Sequence, residues 1–222
     1  MRHYTGYFIT FEGGEGTGKT TQINRLAQAI SEAGHKVVTT REPGGTKEAE
    51  YIRDLLVQRD GGKWTPLSEA LLLFAARSIH VERVIKPALE QGSVVICDRF
   101  TDSTRAYQGF GRELGLEKIE DLNTLVLDGF SPDRTIILDI DPEEGLARSE
   151  RRLAAESLNI KQTEDRFEKM ELDFHNRLRN GFLDIAKNDP DRCTVFDATR
   201  SLDDIAAEIA TTTLAEIEAH KS

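Results

Sequence analysis

Short runs of consecutive apolar residues alternate along this chain with longer segments in which apolar positions recur every three or four residues. The runs at 7–11, 36–40, 94–97, 134–138 and 194–196 are too short for helices. They are also too uniformly apolar for half-exposed hairpins, which predicts strands buried on both faces. Between them, residues 19–33 carry Ile23, Leu26, Ala27 and Ile30 on one helical face and stop before Gly34, a natural C-terminal helix stop. Residues 67–91 predict a long helix, apolar at its start and more charged later. Two further helical segments flank Gly115 and Pro132, and residues 201–220 close the pattern. Strands alternating with helices predict an α/β architecture with a five-stranded parallel sheet flanked by helices. No internal repeat and no linker rich in Pro, Gly or Ser interrupts it, so a single domain is expected over 1–222. Residues 147–166 differ from their surroundings. They are crowded with charge and poor in large apolar side chains, which suits a mobile lid better than a core element.

Composition narrows the partners. The 222 residues suffice for one full core, and 38% hydrophobic with 31% charged residues is an ordinary soluble mixture. No apolar run approaches the roughly 20 residues of a membrane helix. Residues 1–7 lack the apolar stretch of a secretory leader, so a cytoplasmic chain without a membrane partner is expected. Cys97 and Cys193 lie far apart in apolar runs and read as buried thiols rather than a disulfide or a metal site. A formal net charge of −10 argues against nucleic acid as a partner. Any anionic ligand must therefore be gripped by locally clustered Lys, Arg and backbone N–H groups.

Such clustering begins after the first strand. Gly13-Gly14-Glu15-Gly16-Thr17-Gly18-Lys19-Thr20 fits the phosphate-loop pattern and lies between a predicted strand and a predicted helix. Glycines let successive N–H groups converge on phosphate oxygens, and the helix adds the positive end of its dipole. Lys19 then reaches the β- and γ-phosphates, and the Thr20 hydroxyl offers a Mg²⁺ ligand. A three-layer P-loop NTPase fold with a mobile lid follows.

Other charges fall at the same sheet edge. Asp98-Arg99 ends the third strand, where Asp98 is a candidate Mg²⁺ ligand and Arg99 a candidate clamp for an acceptor phosphate. Arg41-Glu42-Pro43-Gly44-Gly45 follows the second strand through a certain turn. Arg77, one turn beyond bulky apolar residues, suits a pocket for a base and a phosphate. Residues 102–109 open a helix with cap-type residues and supply hydroxyls, a phenol and the Gln108 amide, which can either donate to or accept from a base edge. Arg148, Arg151, Arg152 and Arg166 lie in the charged segment, and a closing flap would bring arginines to a migrating phosphoryl group.

Read in order, Phe11 to Thr20, Arg41 to Gly45, Asp98-Arg99 and Ser103-Thr104-Arg105-Ala106-Tyr107-Gln108-Gly109 resemble the bacterial thymidylate kinase family, nearly to the end of the chain at Phe196-Asp197-Ala198-Thr199. The resemblance implies transfer of the γ-phosphoryl group of ATP to dTMP, with Mg²⁺, by a cytoplasmic homodimer. It implies that residues 13–20 and Thr21 hold the nucleotide, with Arg148 stacked on adenine. Glu15 would sit near the dTMP 3′-hydroxyl, Arg77 would serve the base and Arg99 the phosphate, with Arg41, Glu42, Pro43 and Arg53 on the acceptor side. Ser103, Thr104, Tyr107 and Gln108 would line the nucleoside pocket. With no arginine in the P-loop, the catalytic arginines would come from the lid, as Arg152 or Arg166. The residue that stacks on the base is left between Leu73 and Phe74, because the family's usual phenylalanine position holds Leu73 here. Phe100 likewise replaces the family's usual Tyr or His.

Two other readings compete. A kinase for a different nucleoside monophosphate is disfavoured by Ala106-Tyr107-Gln108-Gly109. A P-loop switch or ATPase module is disfavoured by the number of acceptor-side arginines, and the sequence contains no Asn-Lys-x-Asp segment for reading guanine. Lys19 at the third glycine position excludes a dinucleotide fingerprint.

Overall fold

The computed structural model describes residues 4–57, 62–156, 166–168 and 170–221. Five parallel strands form one sheet in the order β2-β3-β1-β4-β5. They are β1 (Phe8–Glu12), β2 (Val37–Arg41), β3 (Val94–Asp98), β4 (Arg134–Asp139) and β5 (Cys193–Asp197). All five predicted strands are present, with no end shifted by more than one residue. Alternation splits each strand between the two faces. Ile9, Phe11, Val94, Ile96, Ile136 and Leu138 pack on one side against α1 (Lys19–Glu32) and α9 (Leu202–Lys221). Phe8, Val95 and Cys97 face the other side, against the helical layer that includes α4 (Lys86–Glu90). Ile137 and Cys193 face α8 (Leu172–Asn188) on that side. Both cysteines are buried and free.

The predicted 67–91 helix begins at α3 (Pro66–His80), capped by Thr65, whose hydroxyl accepts from Ser68 N at 3.2 Å. It then widens into a π turn (Val81–Ile85) before α4. Pro87 supplies the reason: it has no N–H to donate to the preceding turn, and a wider turn just before it relieves the ring clash. The segment at 102–109 also departs from expectation. Its short helix α5 (Thr101–Thr104) starts with Phe100 at the cap position and no side-chain cap, then opens into a π turn (Arg105–Gly111). Asp102 is not a cap. Its buried carboxylate instead receives Arg192 Nη1 at 2.6 Å and Arg105 Nη1 at 2.7 Å.

The remaining helices are α2 (Lys47–Val57), α6 (Leu116–Leu127) and α7 (Pro142–Glu156). The first part of the expected lid is thus a regular helix that begins before it, at Pro142, while residues 157–165 of the expected lid lie outside the described residues. No described helix is long and apolar enough to cross a membrane.

Candidate active site

Register brings the chemistry to one edge. Phe11 pairs with Asp98, and Asp98 with Arg41, so the C-terminal ends of β1, β2 and β3 finish together. Beyond β1 the backbone folds into the glycine loop and enters α1 at Lys19, with Gly18 as cap at φ 89°. Gly13 has φ 131°, and a Cβ there would lie 2.3 Å from the Leu138 carbonyl oxygen, so the loop's approach to β4 requires glycine. Lys19 is buried, its ammonium donating to the Gly14 carbonyl at 2.8 Å and the Gly13 carbonyl at 3.1 Å. Burial, with Arg99 adding to it, pulls this amine down to about 8. Thr20 and Thr21 are exposed on the first turn of α1. Asp98, one strand away, has a buried Oδ1 without a hydrogen-bond partner.

Arg99 sits where β3 ends, in left-handed backbone (φ 67°) that non-glycine residues seldom adopt and that clusters at functional sites. Its guanidinium donates to Gly13 O at 2.9 Å, Ser103 Oγ at 3.1 Å and Glu15 Oε1 at 3.1 Å, over the Tyr107 ring at 4.8 Å. The Tyr107 hydroxyl donates a short hydrogen bond to the same Glu15 oxygen. Burial alone would raise the Glu15 carboxyl, but the charges of Arg99 and Lys19 outweigh it and lower it. Beneath lies Glu12, wholly buried, accepting from Phe100 N at 2.8 Å and from the Ser103 hydroxyl. Burial, reinforced by the nearby Asp102 carboxylate, raises Glu12 to about 7.

A cleft next to this edge is lined by Glu15, Arg53, Leu73, Arg77, Arg99, Tyr107, Gln108 and their neighbours. Arg77 is buried in its wall. Its Nε donates to Glu42 at 2.7 Å, and Nη2 donates to Phe100 O and Thr104 Oγ1, both at 3.0 Å. Its Nη1 is buried without a partner. Glu42 also accepts from His80 Nδ1 at 2.9 Å, so it braces Arg77 from behind. Arg53 donates to Pro43 O at 3.2 Å, at the cleft's rim. Ser103 and Thr104 line the cleft, but their hydroxyls are committed to the arginines and Glu12 rather than left open.

Several expected site residues are placed elsewhere. Arg41 is not in the cleft: strand alternation turns it outward to Glu50 at 3.0 Å, and Glu42 turns inward instead. Phe74 is buried with Ala70 and Ile119 beneath Arg77, and Leu73 is the residue that lines the cleft. Arg166 is not at the phosphate loop. It lines the acceptor cleft, ion-paired with buried Glu69 and donating to Leu56 O at 2.9 Å. Arg152 lies on the exposed part of α7, 3.5 Å from Ser149 Oγ. Arg148 is beside the loop, donating to Ala198 O at 2.9 Å and Glu144 at 2.6 Å. Glu69 and Glu168 line the cleft, and Glu12 supports it from beneath through Phe100 N and Ser103, without any of the three having been singled out from sequence. Glu12 alone left a trace there, a carboxylate ending an apolar strand as Asp98 does.

A phosphate loop on one side of the sheet edge and a guanidinium-walled cleft on the other mark a P-loop nucleoside-monophosphate kinase. The family profile for thymidylate kinase matches residues 11–209, and the chain belongs to that family. It is 52% identical over 205 residues to the thymidylate kinase of Caulobacter vibrioides, covering 92% of this chain and 94% of that one. The thymidylate kinase of Geobacter sulfurreducens is 51% identical over 92% of this chain and 95% of its own. The crystal structure of thymidylate kinase from Ehrlichia chaffeensis superposes with a TM-score of 0.74 at 38% identity, covering 94% of this chain and 98% of that one.

Proposed function

We propose that this enzyme transfers the γ-phosphoryl group of ATP to dTMP, giving ADP and dTDP. The observation that carries the choice of acceptor is a pair of open valences in the cleft wall. Arg77 Nη1 is a buried donor and Gln108 Oε1 a buried acceptor, and neither has a partner. A buried polar atom left unpaired is costly, so each favours a ligand that completes it. A donor beside an acceptor complements a thymine O4 carbonyl and N3–H. Cytosine presents the reverse pattern at those positions and is disfavoured. Leu73 offers the apolar wall, and Glu15 with Tyr107 lies where a sugar hydroxyl can accept and donate.

In this reading the glycine loop and Lys19 hold the triphosphate, and Arg99, with Arg53 at the rim, holds the acceptor phosphate. An oxygen of the dTMP phosphate attacks the γ-phosphorus in line, and the bond to the β,γ-bridging oxygen breaks, leaving ADP. The attacking oxygen is already anionic, so no general base is needed and catalysis is chiefly positioning and charge stabilisation. Arg152 on α7 remains the candidate for lid-side stabilisation. A bound Mg²⁺ would neutralise and orient the β- and γ-phosphates. The residues present fit it: Asp98 Oδ1 is buried and unpartnered, and Thr20 offers a hydroxyl on the first turn of α1.

The reading extends to a cytoplasmic homodimer. Leu67 and Leu71, one turn apart on α3, and Leu125 on α6 are exposed apolar side chains that a second copy would cover. For the reaction itself, the test is chromatography of products from ATP, Mg²⁺ and dTMP. Equimolar dTDP and ADP are expected, and preferential conversion of dCMP would overturn the assignment.

A further inference from the structure

Gln108 can present either end of its amide to a ligand, and something must choose. Its Nε2 lies 3.2 Å from Glu69 Oε2. A carboxylate accepts and does not donate, so only the NH₂ end of the amide can face it. The other oxygen of Glu69 is engaged separately, by Arg166 in an ion pair and by Arg112 Nη1 at 3.5 Å. Glu69 and Gln108 are both buried, so water is not at hand to satisfy a reversed amide. Turning Gln108 over would set two acceptors face to face in a dry site. Its carbonyl is thereby the end left open, consistent with the unpartnered Oε1.

Resting on the reading that the cleft takes a nucleoside monophosphate, we propose that Glu69 is a positioning residue for base specificity: it fixes the polarity of the Gln108 amide. The cleft then admits bases with N–H at the central edge position and rejects those with a bare ring nitrogen there. Arg166 and Arg112 hold the other oxygen of Glu69, so the carboxylate is paired in its buried place and its Oε2 stays turned to Gln108.

The substitution Glu69→Gln tests this with little change of shape. The side-chain carbonyl of the new residue stays with Arg166 and Arg112, so its NH₂ group falls opposite Gln108. Gln108 must then turn its carbonyl toward position 69 and offer NH₂ to the base. The ratio of kcat/KM for dTMP over dCMP is expected to fall at least tenfold in Glu69→Gln, through a raised KM for dTMP and a lowered KM for dCMP, with the KM for ATP unchanged. Glu69→Asp, which keeps an acceptor, is expected to restore most of the preference. A purely structural role would lower both acceptors alike, and a ratio unchanged within twofold would overturn the proposal. If unmodified enzyme does not phosphorylate dTMP at all, the assigned reaction fails instead, so the two failures are separable. Should the variant not fold, NMR of the unmodified enzyme decides. The Gln108 carboxamide protons are expected to stay protected from exchange and unshifted toward a new partner when dTMP binds, and reorientation on binding would contradict the role of Glu69.

Discussion

Replacing Glu42 by Gln removes one charge from the wall of the acceptor cleft while preserving shape. Glu42 and Arg77 are 4% and 2% exposed, with Arg77 Nε 2.7 Å from the carboxylate, and His80 Nδ1 binds its other oxygen at 2.9 Å. The substitution leaves a buried guanidinium facing a neutral amide. Breaking a buried pair by removing one partner costs about 3–5 kcal/mol. Against a total stability of about 5–15 kcal/mol this is a large share. At about 2–4 °C per kcal/mol for a domain of this size, the expected fall in Tm is about 6–20 °C. Arg77 also loses its brace, so the KM for dTMP should rise while that for ATP changes little. Thermal unfolding followed by circular dichroism gives the first quantity and steady-state kinetics the second. A Tm lowered by less than about 2 °C with an unchanged KM for dTMP would refute the claim that Glu42 holds Arg77 in place.

Other perturbations probe the phosphate loop and its buried charges. Gly13→Ala puts a methyl 2.3 Å from the Leu138 carbonyl at a φ of 131°, so ATP affinity should collapse; retention of normal affinity by calorimetry would contradict the loop geometry. Burial raises Glu12 from an ordinary value near 4.5 to about 7, so folding favours its protonated form. Its contribution to stability is therefore full below about pH 4.5 and is lost as pH rises through 7. Denaturant unfolding between pH 5 and 8 should show a flatter fall for Glu12→Gln than for the unmodified enzyme, and equal slopes would count against it. Lys19, drawn down to about 8, is largely neutral in the free loop at pH 9, where phosphate binding must recharge it. The ATP binding heat at pH 9 should then vary with the ionisation enthalpy of the buffer, whereas a buffer-independent heat would show no proton uptake.

The sheet was legible because its strands are buried on both faces and so read as unbroken apolar runs. The glycine loop was legible because its chemistry admits few other residues. Side-chain direction was harder. Arg41 ends β2 and Glu42 follows it, and only the register with β3 tells which one turns inward. Leu73 and Phe74 are separated by helix phase: Ala70, Phe74 and Arg77 form one buried stripe, leaving Leu73 to the cleft. Glu69 carried no signal, since an acidic residue in the first turn of a helix ordinarily serves the helix dipole at the surface. Its role depends on Gln108 and Arg166, which are far from it in sequence.

The central claim is that Arg99 presents an acceptor phosphate to a nucleotide held by the glycine loop. Its most direct test is the rate of ADP release from ATP and Mg²⁺, with dTMP or with no acceptor, for the unmodified enzyme and Arg99→Ala. Strong dependence on dTMP, lost in Arg99→Ala while ATP binding persists, is the predicted result. Release of ADP at the same rate without an acceptor would contradict it.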